Sequence, residues 1–384
     1  VPDPARAAPG AHFDAVLLVH AGAEQRVGGL RLVERAALTL ARAGARRLLY
    51  VGSRVATERL PAVPCVWLDA ADAAGLAAWA HEAAPVVLVM DAAGVVDAAT
   101  AGALASAPAP GTLAVDGPPV LWRCAPAALP AVVARVPGRI PDASSWQSAA
   151  SALVTAARDP AERRAAERAL YARLGRAGDG WFTRAVDRRI SRALTRLLLP
   201  TGVSPNQITL ASIAIGVGAG ALFATGAHDA AIAGALLFLL STIVDGCDGE
   251  VARLTFRESL FGARLDVVGD NVVHVALFAG IAAGLYRRTA DPRIAVLGTL
   301  LVVGALLAMV VVYVFFIKGE PTPAQRALFE AVASREFAYL LVILTFAGRL
   351  AWFLWLAVIG TYVFVAGLLL LSWRARRAPR ALGA

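Results

Sequence analysis

Beyond Pro200 the sequence runs through six apolar stretches, at 207–225, 229–252, 263–286, 292–317, 336–348 and 351–373. Nothing constrains the fold more. A backbone in hydrocarbon must satisfy its amides internally, and about 20 apolar residues in a row suffice for one helical crossing. The second half of the chain is therefore expected to be an all-α polytopic membrane domain of six transmembrane helices, its short fifth stretch near the lower limit for a crossing. The hydrophobic residues, 58% of the 384, are concentrated there.

The first half reads differently. F-D-A-V-L-L-V-H, R-R-L-L-Y-V-G, P-C-V-W-L-D, P-V-V-L-V-M-D and T-L-A-V-D are short β-rich runs, with helical patterns between them at Leu30–Gly44 and Asp72–Ala83. That alternation predicts an α/β domain with a mainly parallel, Rossmann-type sheet, whose ligands bind at the carboxyl ends of the strands. The segment H-A-G-A-E-Q-R-V-G-G-L-R after the first strand resembles the opening of sugar-phosphate nucleotidyltransferases. The resemblance implies a nucleotide site involving Gly22, Arg26 and the turn at Gly28 and Gly29, with Asp91 in the place of a metal-binding aspartate. The pattern departs from the family at Ala23 and Glu24 and lacks its lysine, so the domain is read as nucleotidyltransferase-like and degenerate.

The expected organisation is a cytoplasmic α/β domain over 1–140, a helical linker over 141–180, an interfacial amphipathic helix over 181–199 and the membrane domain over 200–384. In the interfacial segment Phe182, Val186, Ile190, Ala193 and Leu197 share one helical face, while Arg184, Arg188, Arg192 and Arg196 line another, facing lipid phosphates. No signal-peptide pattern opens the sequence, and the tail R-A-R-R-A-P-R is basic. A multi-pass protein of the cytoplasmic membrane, with both ends inside, follows from the positive-inside rule. Cys65, Cys124 and Cys247 are scattered and odd in number, which argues against a disulfide framework or a zinc site. The net charge of +9 comes from arginine, Lys318 being the only lysine. With no basic motif interleaved with aromatics, anionic lipid or phosphorylated ligands are expected rather than nucleic acid.

Four carboxylates interrupt the apolar spans. Asp245, Asp248, Gly249 and Ala252 fall along one face of the second span, and Gly262, Asp266 and Asp270 recur every four residues on the third. An Asp at the centre of a membrane helix costs roughly 2.5 to 3.5 kcal/mol on insertion scales, so the default reading is functional. Oxygen-only ligands select hard ions, and two of Mg²⁺ or Mn²⁺ balance four carboxylates. The glycines leave room for a ligand, and the fork of Arg253 suits a phosphate.

The full spacing, D-x2-D-G-x2-A-R-x8-G-x3-D-x3-D from Asp245 to Asp270, resembles the signature of CDP-alcohol phosphotransferases at every defining position. Similarity extends over about 181–373 and includes P-N-Q-I-T at Pro205–Thr209. It implies a homodimeric transferase that displaces CMP from a CDP-alcohol donor at the bilayer. Asp245, Asp248, Asp266 and Asp270 would be metal ligands, with Asp270 also accepting the proton of the acceptor alcohol. Asn206, Thr209, Gly249, Ala252, Arg253 and Gly262 would bind the CDP portion. By position, Lys318 and Arg335 resemble the groups that hold a phosphorylated acceptor in inositol-phosphate-using members. An α/β domain ahead of such a unit looks like the bifunctional inositol-1-phosphate cytidylyltransferase and di-inositol-phosphate-phosphate synthase arrangement. The alternatives are a phospholipid synthase using CDP-diacylglycerol and a catalytically silent, nucleotide-sensing membrane protein.

Overall fold

A computed structural model of the chain describes residues 13–108, 112–116, 120–135, 143–149, 151–174, 187–319, 321–332 and 336–377. These fall into two compact units, one ending at Leu174 and including Leu254–Phe256, the other holding the remainder.

In the first unit, β1 (Phe13–Val19) is buried along its whole length and lies parallel to β4 (Ala45–Gly52) on one side and β6 (Val87–Asp91) on the other. A strand covered on both faces must be apolar at every position, as this one nearly is. Its alternate residues serve two cores. Ala15 and Leu17 pack with Val33, Ala36 and Leu40 of α1 (Leu32–Arg42), while Val16 and Leu18 pack with Leu76 and Trp79 of α2 (Ala73–His81). The sheet continues through β5 (Cys65–Leu68), parallel to β4 at one edge. On the other side come β9 (Leu121–Cys124), β8 (Leu113–Val115) and β10 (Ser144–Trp146), with β9 antiparallel to both neighbours. All five expected strands are present, in a mostly parallel sheet.

Two stretches add to the expected alternation. The Gly28–Gly29 pair closes a two-residue hairpin between β2 (Arg26–Val27) and β3 (Leu30–Arg31). Both glycines have positive φ, +56° and +85°, as a type I′ turn requires. The 141–180 segment, expected as a helical linker, contributes β10 to the main sheet and β11 (Val154–Ala156) to a ladder with β7 (Gly94–Val96). Its helix α5 (Pro160–Ala172), capped by Asp159, belongs to the same unit.

In the second unit, α7 (Pro205–Ala224), α8 (His228–Leu254), α9 (Leu260–Thr289), α10 (Pro292–Val312, running on to Phe316) and α13 (Leu350–Arg377) are long and apolar enough to cross a membrane. The fifth expected span is only the 11-residue helix α12 (Glu336–Phe346), about 16 Å long at 1.5 Å per residue. Gly348, at φ +68°, and Arg349 follow it and break the apolar pattern before α13. An additional short helix, α11 (Pro323–Val332), precedes it.

Small residues bring α7 and α9 into backbone contact: Gly220 meets Ala276 and Gly280, and Gly284 meets Phe223. A Cβ on Gly280 would sit 2.1 Å from the carbonyl oxygen of Gly220. In lipid, where apolar surface gives no drive to associate, such close packing is what holds helices together. Local signals fix the helix starts beside the site: a Ser204–Gln207 capping box with Pro205 begins α7, and Ser259 caps α9.

The helix α6 (Arg188–Leu198) corrects the expectation for the amphipathic segment, of which Phe182, Arg184 and Val186 lie outside the described residues. Ile190 and Leu197 are indeed exposed, at 45% and 72%. Arg196 and Ala193 are exposed too, but Arg188 is buried in an ion pair with Glu250 instead of facing lipid phosphates, and Arg192 is half-buried. The short hydroxyls of Ser191 and Thr195 on the same face leave room for α8 to approach, which draws Arg188 inward.

Candidate metal centre

The carboxylates of the motif stand where α8 ends and α9 begins. Asp245 and Asp248 lie in the C-terminal half of α8, and Asp266 and Asp270 in the second and third turns of α9. One oxygen from each of Asp245, Asp248 and Asp266 lies within 4.8 Å of the others. Asp248 is buried, Asp245 and Asp266 half-buried. The Thr209 hydroxyl on α7 and the Gly249 amide both donate to Asp248, so its position is set by two helices. Asp270, more exposed, lines one cleft with Asp245, Asp266, Thr209 and His274.

These residues fit a divalent cation. At 4.8 Å and an effective dielectric near 20, each pair of carboxylates repels by roughly 3 to 4 kcal/mol, and three pairs converge. Such an arrangement is favourable with a hard cation between the oxygens, and the donor set is oxygen only.

The expected donor-binding residues are partly gathered. Thr209 joins the cluster. Asn206 and Gly262 meet at the first turns of α7 and α9, where a Cβ on Gly262 would lie 3.0 Å from the Asn206 Oδ1. Gly249 is half-buried, Ala252 is buried, and Arg253 occupies the last turn of α8. Lys318 lies in a π-helical continuation of α10, its ammonium 5.4 Å from the Tyr313 ring centroid, and is not among the residues lining the cleft. Arg335 lies outside the described residues.

Two residues take roles that the motif does not signal. His274, one turn beyond Asp270, donates from Nδ1 to the Asp270 carbonyl at 2.6 Å, with its ring among Phe238, Phe278 and Phe337. Glu250, inside the motif at a variable position, is fully buried and hydrogen-bonded to α6. Three polar residues on one face of α6 were the available sign of it.

In the α/β unit Asp91 does end β6, but its carboxylate is enclosed. It accepts from His20 Nε2 at 2.5 Å, from the Ala93 amide at 2.9 Å and from Arg158 at 3.0 Å. Burial alone would raise its pKa, yet the hydrogen bonds from His20, Ala93 and Arg158 prevail and hold it below the usual carboxylate range. The same bond to Asp91, against the opposing effect of burial, raises the His20 pKa. The carboxylate is thus held by protein donors on both oxygens. Gly22, at φ +96°, turns the chain after β1, and Arg26 pairs with Glu58 at 2.6 Å.

Fold and site together define a polytopic helical membrane protein with a carboxylate cluster, suited to hard cations, between two of its helices. Residues 202–376 match the family model for CDP-alcohol phosphatidyltransferase. Similar proteins include the bifunctional IPC transferase and DIPP synthase of Archaeoglobus fulgidus, 35% identical over 141 residues, which are 36% of this chain and 28% of that one. The phosphatidylinositol phosphate synthase of Corynebacterium glutamicum is 33% identical over 131 residues, 34% of this chain and 58% of the other. The archaetidylinositol phosphate synthase of Aeropyrum pernix is 29% identical over 196 residues, covering 47% and 91%. The chain thus spans about a quarter of the bifunctional relatives it matches. Among solved structures, the phosphatidylinositol phosphate synthase of Mycobacterium tuberculosis with CDP-DAG bound superposes with a TM-score of 0.40 at 20% identity, over 51% of this chain and 98% of the other.

Proposed function

We propose that the helical domain transfers the phospho-alcohol group of a CDP-alcohol to an acceptor hydroxyl and releases CMP. The convergence of Asp245, Asp248 and Asp266 within 4.8 Å carries this reading. Those three, with Asp270, would hold two divalent cations, Mg²⁺ or Mn²⁺. When bound, the ions supply neutralisation of the pyrophosphate and of the departing CMP. Asp270, the most exposed of the four, takes the proton of the acceptor hydroxyl as its oxygen bonds to the phosphorus nearer the donor alcohol. The pyrophosphate bridge breaks, and CMP leaves with the bridging oxygen. Gly249 and Gly262 admit the nucleotide past the backbone, Arg253 pairs with its phosphates, and Asn206, Thr209 and Ala252 border it. Lys318 and Arg335 are assigned to a phosphorylated polyol acceptor. The protein works as a homodimer in the cytoplasmic membrane, with the α/β domain and the C-terminus inside.

Two donors compete. A CDP-linked polar alcohol such as CDP-inositol accords with the bifunctional relatives. A CDP-linked lipid such as CDP-diacylglycerol accords with the phosphatidylinositol phosphate and archaetidylinositol phosphate synthases, which match over 58% and 91% of their own length. Purified protein in nanodiscs, given Mn²⁺, either donor and inositol phosphate, should release CMP with only one of them. No CMP from any donor would refute the reaction class.

A further inference from the structure

We propose that Glu250 is a positioning residue: it locks α6 onto α8 and thereby fixes the rotation of the helix that carries Asp245 and Asp248. The inference rests on the reading of those carboxylates as a cation site. Glu250 has no solvent exposure. Its Oε1 accepts from Arg188 Nη1 at 3.1 Å and from Ser191 Oγ at 2.8 Å, and its Oε2 from Thr195 Oγ1 at 2.8 Å. The donors are spaced i, i+3 and i+7, one face of α6, so a single carboxylate reads two turns of the helix.

Stability does not explain the arrangement. Replacing a buried ion pair with packed apolar residues is often neutral or stabilising, whereas breaking one partner is costly. What the pair does provide is register. Leu194 and Leu198 pack around Cys247 and Val251 on the same side, and an apolar seam alone tolerates sliding. With Glu250 present, a slip or rotation strands a buried charge.

The register matters because of where Glu250 stands. At 100° per residue it lies about 140° around α8 from Asp245, on the flank turned away from the carboxylate face. Thr209 holds Asp248 from α7 on the other flank. Gripped from both sides, α8 cannot rotate freely. For a carboxylate roughly 6 Å from the helix axis, a 10° rotation displaces it by about 1 Å, a misplacement of the size that can cost about a hundredfold in rate. α6 has its own reference points: Ile190 and Leu197 face outward, and Asp187 accepts a hydrogen bond from Tyr339 of α12. The exposed face mixes Ile190, Ala193 and Leu197 with Arg189 and Arg196, apolar residues beside cations that can reach lipid phosphates, while the short polar residues are buried. It suits a helix lying in the bilayer surface, which would hold α8 relative to that surface.

The test uses the full chain in nanodiscs, with Mn²⁺ alone as probe, its free concentration read by electron paramagnetic resonance, alongside turnover and thermal unfolding. Glu250→Gln and Arg188→Met should each weaken Mn²⁺ binding at least fivefold and lower kcat at least tenfold, and the double variant should lose no more than the worse single. Ser191→Ala and Thr195→Ala, which remove one hydroxyl apiece and leave the ion pair, should weaken Mn²⁺ binding about twofold to threefold. These two decide the matter should the charge variants fail to fold. Native Mn²⁺ affinity in folded variants, or losses that simply add, would overturn the proposal. Wild type that binds Mn²⁺ without releasing CMP would refute the reaction and leave the positioning role standing. Wild type that binds no Mn²⁺ would overturn both.

Discussion

Replacing Asp245 by Asn should raise the stability of the protein when divalent ions are removed and lower it when they are supplied. Without a cation, Asp245 repels Asp248 and Asp266 across at most 4.8 Å, roughly 3 to 4 kcal/mol for each pair at an effective dielectric near 20. Two of the three pairs vanish in the variant. Asp245 and Asp266 are half-buried, so water screens much of this, and about 1 to 2 kcal/mol of relief is expected. For a unit of this size that is a rise of roughly 2 to 8 °C in Tm. With Mn²⁺ at a hundred times its Kd the wild type gains about 2.7 kcal/mol by mass action, and the variant forfeits most of it. The order of the two unfolding curves therefore reverses between EDTA and Mn²⁺. Fluorescence-detected unfolding in nanodiscs at matched ionic strength is the assay. A variant less stable than wild type in EDTA, together with no response of the wild type to Mn²⁺, would refute the idea that the three carboxylates await a cation.

Asp270→Asn should cut CMP release about 10²- to 10⁴-fold, the range for loss of a positioned general base, while Mn²⁺ binding falls much less because the close triad is intact; equal turnover by the variant would remove Asp270 from the proton transfer. Gly280→Ala places a Cβ 2.1 Å from the Gly220 carbonyl oxygen, so α7 and α9 must separate. Overpacking of about 1 to 3 kcal/mol is expected, measured as a lower unfolding temperature, and no change would deny the backbone contact. In the α/β unit the raised pKa of His20 means that its bond to Asp91 stabilises fully below the unfolded value of about 6.5 and loses that contribution as pH rises through the folded value. His20→Gln should thus cost more protection at pH 5.5 than at pH 8.5, read by hydrogen exchange along β1 and β6; a pH-independent difference would contradict the coupling.

Much of the site was legible because helical spacing is local. Asp245, Asp248, Asp266 and Asp270 announce two shared faces through intervals of three and four, and α7, α8 and α9 follow from apolar length. The five expected strands followed in the same way from short apolar runs. Hidden were the partnerships that span the chain. Strands β9, β10 and β11 (L-W-R-C, S-S-W and V-T-A) carry no unbroken apolar run, and their pairing depends on neighbours elsewhere in the fold. Arg158 reaches Asp91 across 67 positions, turning an aspartate that resembled a metal ligand into the centre of an ion pair. The fifth apolar stretch looked like a short crossing, whereas the left-handed Gly348 separates an 11-residue helix from α13.

The sequence by itself determined a membrane domain behind an α/β domain, and it placed four carboxylates at helical intervals beside an arginine and two glycines. It could do so because hydrophobic length and helical period are properties of neighbouring residues. Only the tertiary structure decided which three carboxylates converge, and only it turned Arg188 away from the lipid and onto Glu250. A charge on a helix can serve the membrane surface or a buried partner equally well until another helix is packed against it. The choice depends on desolvation and distance, and both arise only when the chain is folded.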